Sequence, residues 1–74
     1  MEGLSLGQTH KRLSNREQDV VRFIGAGKTV KETAGALMLS EKTVSTYRSR
    51  ILIKLNLTNT AEIIRYALKH YLAA

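Results

Sequence analysis

From residue 13 onward, the apolar residues recur every three or four positions in four blocks, and short connections separate these blocks. This spacing aligns apolar side chains along one face of a helix. In the first block, for example, Val20, Val21 and Ile24 fall on the same side. The pattern predicts four helices, which span about 14–26, 29–38, 40–55 and 59–72.

The residues at which these helices begin are favourable N-caps. Ser14 and Thr29 are each followed three positions later by a glutamate, which is the spacing of a capping box. Asn59 has the same relation to a glutamate, and Ser40 is a cap without one. Because three such boxes precede apolar-periodic runs, the sequence predicts an all-α fold, a compact four-helix bundle.

The segment 27–55 has the organisation of a helix-turn-helix. Gly27 can end the first helix in the left-handed conformation, and the short second helix is expected to bury Val30, Ala34 and Leu37. The connection 37–40 is tight and apolar, so the second helix must cross the third at a steep angle. This crossing leaves the third helix free to enter a groove of DNA.

The third helix has two chemically different sides. At 100° per residue, Val44, Ile51 and Leu55 face the core, with Leu52 and Tyr47 at the margins of that stripe. The other positions are Lys42, Thr46, Ser49 and Ile53 on the opposite side, Ser45 and Arg50 at its shoulders, and Thr43 and Lys54 between the two sides.

The small polar residues of the outer side suit the major groove. Small side chains let the helix approach the base edges, where hydroxyls can donate or accept hydrogen bonds. Lys42, Arg50 and Lys54 can reach phosphates, and the free amides at the helix start offer a further phosphate site. A solvated amphipathic helix without a ligand would have the same two sides. This helix alone therefore does not distinguish a DNA-binding helix from a solvated one.

The charge of the chain narrows the range of partners. The net charge is +6 and the isoelectric point is about 10.1, which favours nucleic acid first and an anionic membrane surface second. The sequence has no cysteine and no apolar run near the roughly 20 residues that a membrane span needs. The start of the chain also lacks the apolar core of a signal peptide, so we expect a cytoplasmic protein.

The length allows one domain. Residues 1–12 have neither a helical nor a strand period, and we expect them to be a flexible arm or the remnant of a linker before a domain over 13–74.

We expect no enzymatic activity, metal site or cofactor. His10 and His70 have no cysteine or paired acid beside them, and the glycines lack the phosphate-loop pattern.

Three segments together resemble a known family of DNA-binding domains. They are LSNRE (13–17), GKTVKETAGAL (27–37) and LSEKTVSTYRSRILIKLNLTNTAE (39–62). They are similar to the LuxR/FixJ-type helix-turn-helix domain of bacterial transcription regulators, and the similarity covers about 13–72. The resemblance implies a four-helix domain that binds double-stranded DNA, dimerises, often through its last helix, and recruits or blocks RNA polymerase. Many members are output domains of two-component response regulators, and the linker-like start favours an excised output domain over a free-standing regulator.

The resemblance also assigns residues to DNA. The positions that contact bases in the family correspond to Ser45, Thr46 and Ser49, and those that contact the DNA backbone correspond to Lys42, Thr43, Tyr47, Arg50 and Lys54. Lys28 and Lys31, near the start of the second helix, are expected to add phosphate contacts.

Four positions depart from the family's usual residues. Thr33 stands in place of isoleucine and Tyr47 in place of histidine. Asn56 replaces glycine but can still adopt a left-handed conformation. Thr60 replaces an arginine that anchors hydrogen bonds in the family, which puts that anchor in doubt.

The last helix has more apolar surface than one domain can bury. Ile63, Ile64, Ala67 and Tyr71 form a stripe for packing, and the apolar residues left beside it are Ala61, Leu68 and Leu72. We expect these three to form a homodimer interface that is weak in solution and stronger on DNA.

Two other functions fit the same general pattern. The first is a sigma-type helix-turn-helix that associates with polymerase and binds DNA weakly alone, and the second is a small basic helical module that binds an acidic protein. A membrane-surface helix is disfavoured because the apolar faces are used in packing.

Overall fold

The computed structural model describes the backbone of residues 13–72 and the side chains of residues 13–70. Over that range the chain forms four helices and a terminal π-helical turn, which confirms the predicted all-α fold. The helices are α1 (Asn15–Gly25), α2 (Val30–Leu37), α3 (Glu41–Lys54) and α4 (Thr60–Ala67), and the π-helical turn is Leu68–Leu72. The predicted arm, residues 1–12, lies outside the described residues, as does His10.

The caps form at the predicted residues, with one difference. In the boxes of α1 and α2, the glutamate carboxylate accepts from the N–H of the cap, Ser14 at 2.8 Å and Thr29 at 2.9 Å. The predicted third box is only half formed. The Asn59 side chain accepts from the Glu62 N–H at 3.0 Å, but the Glu62 carboxylate accepts from the N–H and hydroxyl of Thr58. Asn59 has a more extended backbone (φ −157°) than the other two caps, so the preceding residue supplies the donor.

Three residues between the helices adopt left-handed conformations. Gly27 (φ 89°) and Asn56 (φ 57°) do so as predicted, and they end α1 and α3 respectively. Met38 (φ 58°) was not predicted to do so, because methionine has a Cβ that disfavours this region. The N–H of Leu39 closes the turn by donating to the Ala34 carbonyl at 2.9 Å, which ends α2 and directs the chain into α3.

A single core joins the helices. Helix α1 packs against α3 and α4, and α2 packs mainly against α3. The buried apolar residues are Leu13, Val20, Val21, Ile24, Ala34, Val44, Ile51, Leu55, Ile63 and Ala67. Of the apolar residues predicted for α2, Ala34 is buried, whereas Val30 and Leu37 are only partly buried. Two polar residues, Glu17 and Thr33, are also buried. The predicted list lacked Glu17, whereas the resemblance had placed Thr33 at a position where the family has isoleucine.

Candidate nucleic-acid interface

Helix α3 presents one buried side and one exposed side, as the helical wheel predicts. Val44 and Ile51 are fully buried and Leu55 nearly so, which anchors α3 in the core. The opposite side carries Lys42, Thr46, Ser49 and Ile53, all exposed, and we call this set the outer face of α3. Arg50 is exposed and Ser45 is half-buried at the shoulders of the outer face.

The hydroxyl groups of α3 differ in what they can still bind. Ser40 caps the helix by accepting from the Thr43 N–H at 3.0 Å, and its hydroxyl donates to the Thr43 hydroxyl at 2.9 Å. The Thr46 hydroxyl donates to the Lys42 carbonyl at 3.1 Å, so its remaining capacity is to accept. The exposed Ser49 hydroxyl lies one turn further along the same side, where a base edge could supply either partner.

The residues assigned by resemblance to the DNA backbone do not all lie in the same environment. Lys42 and Arg50 are exposed, whereas Thr43 and Tyr47 are half-buried and Tyr47 packs against the core. Lys28 and Lys31 are exposed at the start of α2. These differences divide the set into solvent-facing cations and side chains that help hold α3 in place.

Lys54 has a partner that the sequence did not predict. Its Nζ donates to Oε1 of Glu17 at 2.8 Å, which connects the end of α3 to the start of α1. The Glu17 side chain is only 2% exposed, whereas the Lys54 side chain is 35% exposed. Burial by itself would raise the pKa of Glu17, but the hydrogen bonds from Lys54 and Ser14, with the lysine charge, outweigh burial and lower that pKa.

Two other glutamates have lowered pKa values because they accept hydrogen bonds at the starts of α2 and α4. For Glu32 the main cause is the hydrogen bond from the Thr29 N–H, and the charge of Lys28 contributes. For Glu62 the main cause of the lowered pKa is the pair of hydrogen bonds from the N–H and the hydroxyl of Thr58. Glu17, Glu32 and Glu62 are therefore ionised at neutral pH, and each carboxylate accepts a hydrogen bond from a backbone N–H at the start of a helix.

Arg48 is a positioning residue that sequence reasoning missed. It is half-buried on the core-facing half of α3, and its Nη1 donates to Oγ1 of Thr60 at 3.3 Å. The bond joins α3 to the first residue of α4. The sequence had shown only that Thr60 departs from an arginine of the family, and in the structure Thr60 still makes a hydrogen bond, as an acceptor.

The three described residues of the apolar stripe predicted on the last helix do pack against the core. Ile63 and Ala67 are buried and Ile64 is half-buried, while Ala61 and Leu68 are exposed. The rings of Tyr66 and His70 lie 4.3 Å apart, centroid to centroid. The side chains of Tyr71 and Leu72, which the sequence assigned to the stripe and to the dimer interface, lie outside the described residues.

The described residues provide neither a membrane-spanning helix nor a group of metal-ligating side chains. Across the described range, 13–72, no helix is both long enough and apolar enough to cross a membrane. The same part of the chain contains no group of three metal-ligating side chains.

Comparison with known proteins gives one family. The family model described as bacterial regulatory proteins, luxR family, matches residues 11–67. This range includes all four helices and every residue of the outer face.

Relatives match over the same domain. A Pseudomonas aeruginosa protein named as a transcriptional regulator is 50% identical over 60 residues, which cover 81% of this chain and 29% of the relative. The Bordetella pertussis protein BvgA, named as a positive transcription regulator of virulence factors, is 46% identical over 61 residues, or 82% of this chain and 29% of BvgA. The response regulatory protein YgeK of Escherichia coli K12 is 45% identical over 58 residues, or 78% of this chain and 40% of YgeK. The chain thus spans less than half the length of these relatives.

Proposed function

The chain belongs to the luxR family of bacterial regulatory proteins, which are DNA-binding transcription regulators, and we propose that it reads the major groove of double-stranded DNA with α3. The observation that carries this proposal is the outer face of α3. Its side chains are exposed while the opposite side of the same helix is buried, so the helix is fixed in the fold and still accessible along its length. This is the arrangement that a recognition helix needs.

We assign base contacts to Ser45, Thr46 and Ser49. Thr46 and Ser49 are exposed on the outer face, and Ser45 is at its shoulder. Contacts to the DNA backbone are assigned to the residues that the family resemblance gives, namely Lys42, Thr43, Tyr47, Arg50 and Lys54. Lys28 and Lys31, near the start of α2, are proposed as additional phosphate contacts. Among these, Lys42 and Arg50 have the most direct support because both are exposed beside the base-reading residues.

Dimerisation is a separate part of the proposal. Leu68 is 50% exposed and Ala61 is exposed, so the described part of α4 and the turn after it has apolar surface that the domain does not cover. We propose that this surface, with Leu72, pairs two copies on an inverted repeat, weakly in solution and more strongly on DNA. Pairing doubles the number of bases read, since one helix covers only a few base pairs.

A proposal for the cellular role takes its support from the names of the relatives. We propose a cytoplasmic regulator of transcription that acts within a two-component system and communicates with RNA polymerase. The response regulator YgeK and the transcription regulators among the relatives support this role.

The salt dependence of DNA binding tests the proposal. Double-stranded oligonucleotides enriched from a random pool by this protein are titrated at two salt concentrations, with unrelated duplex as competitor. Each phosphate that the protein neutralises should steepen the fall of log affinity with log salt by about 0.9. Lys42→Ala should lower the slope by about that amount and weaken all sequences alike.

A base-reading residue should behave differently from Lys42. Ser49→Ala should leave the salt slope unchanged and relax the preference at one or two base pairs by about 1–3 kcal/mol each. If the protein binds no duplex in preference to competitor, the proposal is wrong. If it binds DNA only when polymerase is added, the sigma-type alternative is favoured instead.

A further inference from the structure

The outer face of α3 contains one large apolar side chain that the base and phosphate contacts do not explain. Ile53 is 80% exposed, near the end of the helix. It lies four positions after Ser49, so it continues the same line of side chains as Lys42, Thr46 and Ser49. An isolated exposed apolar residue is common on protein surfaces. Here, however, the residue lies on the side that is proposed to face DNA.

The helix geometry places Ile53 within reach of the groove. A rise of 1.5 Å per residue puts it about 6 Å along the helix axis from Ser49. The major groove is about 12 Å wide, so a helix that brings Ser49 to a base edge keeps Ile53 in or at the wall of the groove. The four base pairs offer one apolar group there, the C5-methyl of thymine.

We propose that Ile53 makes an apolar contact with a thymine methyl group and so extends the sequence that α3 reads. This inference rests on the proposed function, because it requires α3 to lie in the major groove. It adds a specificity-determining residue of a different chemistry from the three hydroxyls. The residue is expected to favour an A·T or T·A pair beyond the bases that Ser49 reaches.

The surroundings of Ile53 favour DNA over a protein partner. Arg50 and Lys54 lie within three positions of it, and the rest of the outer face is polar. The other large apolar residues that the described range exposes are Met38, before α3, and Leu68, after α4. A single isoleucine among polar and cationic side chains is too small a patch for a protein interface, which needs a contiguous apolar surface. One methyl-sized contact in a groove needs only that side chain.

Removal of single methyl groups from DNA tests the inference. The enriched duplex is prepared as a series in which each thymine in turn is replaced by deoxyuridine, which lacks the C5-methyl and pairs identically. Affinities of the full chain are measured for the wild type, Ile53→Ala and Met38→Ala. Met38→Ala is the matched control, because Met38 is also an exposed apolar residue (92%) but lies outside α3.

The expected result is a coupled loss at one thymine. There, deoxyuridine should weaken binding of the wild type and of Met38→Ala about fourfold, which corresponds to one buried methyl group. The same replacement should leave the affinity of Ile53→Ala unchanged. If every thymine has the same effect in the wild type and in Ile53→Ala, or no thymine affects the wild type, the inference is wrong although DNA binding stands. If the wild type shows no sequence preference at all, the proposed function fails as well.

Discussion

Thr33 offers the clearest test of the packing, because its side chain is fully buried while Oγ1 has no hydrogen-bond partner among the described residues. A buried hydroxyl without a partner costs about 1–3 kcal/mol. Thr33→Val replaces this hydroxyl with a methyl group of nearly the same size. Valine and threonine have similar helix propensities, so the change leaves the intrinsic stability of α2 almost unaltered.

We expect Thr33→Val to raise the free energy of unfolding by about 1–2 kcal/mol. The relief of the unpaired hydroxyl and the added apolar burial act in the same direction, and a small cost of repacking opposes them. In a domain of this length, each kcal/mol corresponds to about 4–8 °C in the melting temperature. Thermal unfolding followed by far-ultraviolet circular dichroism measures the shift directly.

Thr46→Val is the matched control for this prediction. Thr46 is exposed on α3, so the same exchange of groups relieves no buried hydroxyl, and its effect should stay within about 0.5 kcal/mol. A Thr33→Val protein that melts at or below the wild-type temperature would refute the reasoning. It would mean that the hydroxyl is satisfied in solution, for instance by a carbonyl of the preceding turn.

Three further predictions concern the core, the ion pair and the proposed dimer. Leu55→Ala should cost about 2–5 kcal/mol through lost burial and a residual cavity, and an equally stable variant in chemical denaturation would contradict its place in the core. Because the pKa of Glu17 is lowered in the folded state, its ionic contribution to stability is present above the ordinary carboxyl pKa of about 4.3 and is lost as the pH falls through the lowered value. The stability advantage of the wild type over Glu17→Gln in urea denaturation should therefore shrink on acidification, and an advantage independent of pH would exclude this role. Leu68→Asp should retain the helical circular dichroism spectrum and half-site binding but lose cooperative binding to an inverted repeat in a footprint titration, whereas unchanged cooperativity would place the interface elsewhere.

The helices could be predicted from the sequence because their determinants are local. Ser14 and Thr29 lie three residues from the glutamates that complete their boxes, and the apolar periods identify the buried side of each helix. For α3 the periodicity also separated the buried side from the outer face. Neither feature requires knowledge of how the helices pack, since each depends on residues within one or two turns.

The features that were missed depend on contacts between distant residues. The Lys54–Glu17 pair joins residues 37 positions apart, and the Arg48–Thr60 bond joins residues 12 apart. No periodicity within one helix can indicate such pairs, because they exist only after α1, α3 and α4 have packed.

One oxygen atom of Glu17 links the start of α1 to the end of α3. Its Oε1 accepts both from the Ser14 N–H, which begins α1, and from the Lys54 ammonium, which lies at the end of α3. Helix ends ordinarily fray one at a time, and their amide hydrogens then exchange with solvent independently. Here, fraying of the first turn of α1 would also break the contact at the last turn of α3. We therefore expect the amide hydrogens at these two ends to exchange with solvent together, because a carboxylate from the first turn of the domain contacts the last turn of the helix proposed to read DNA.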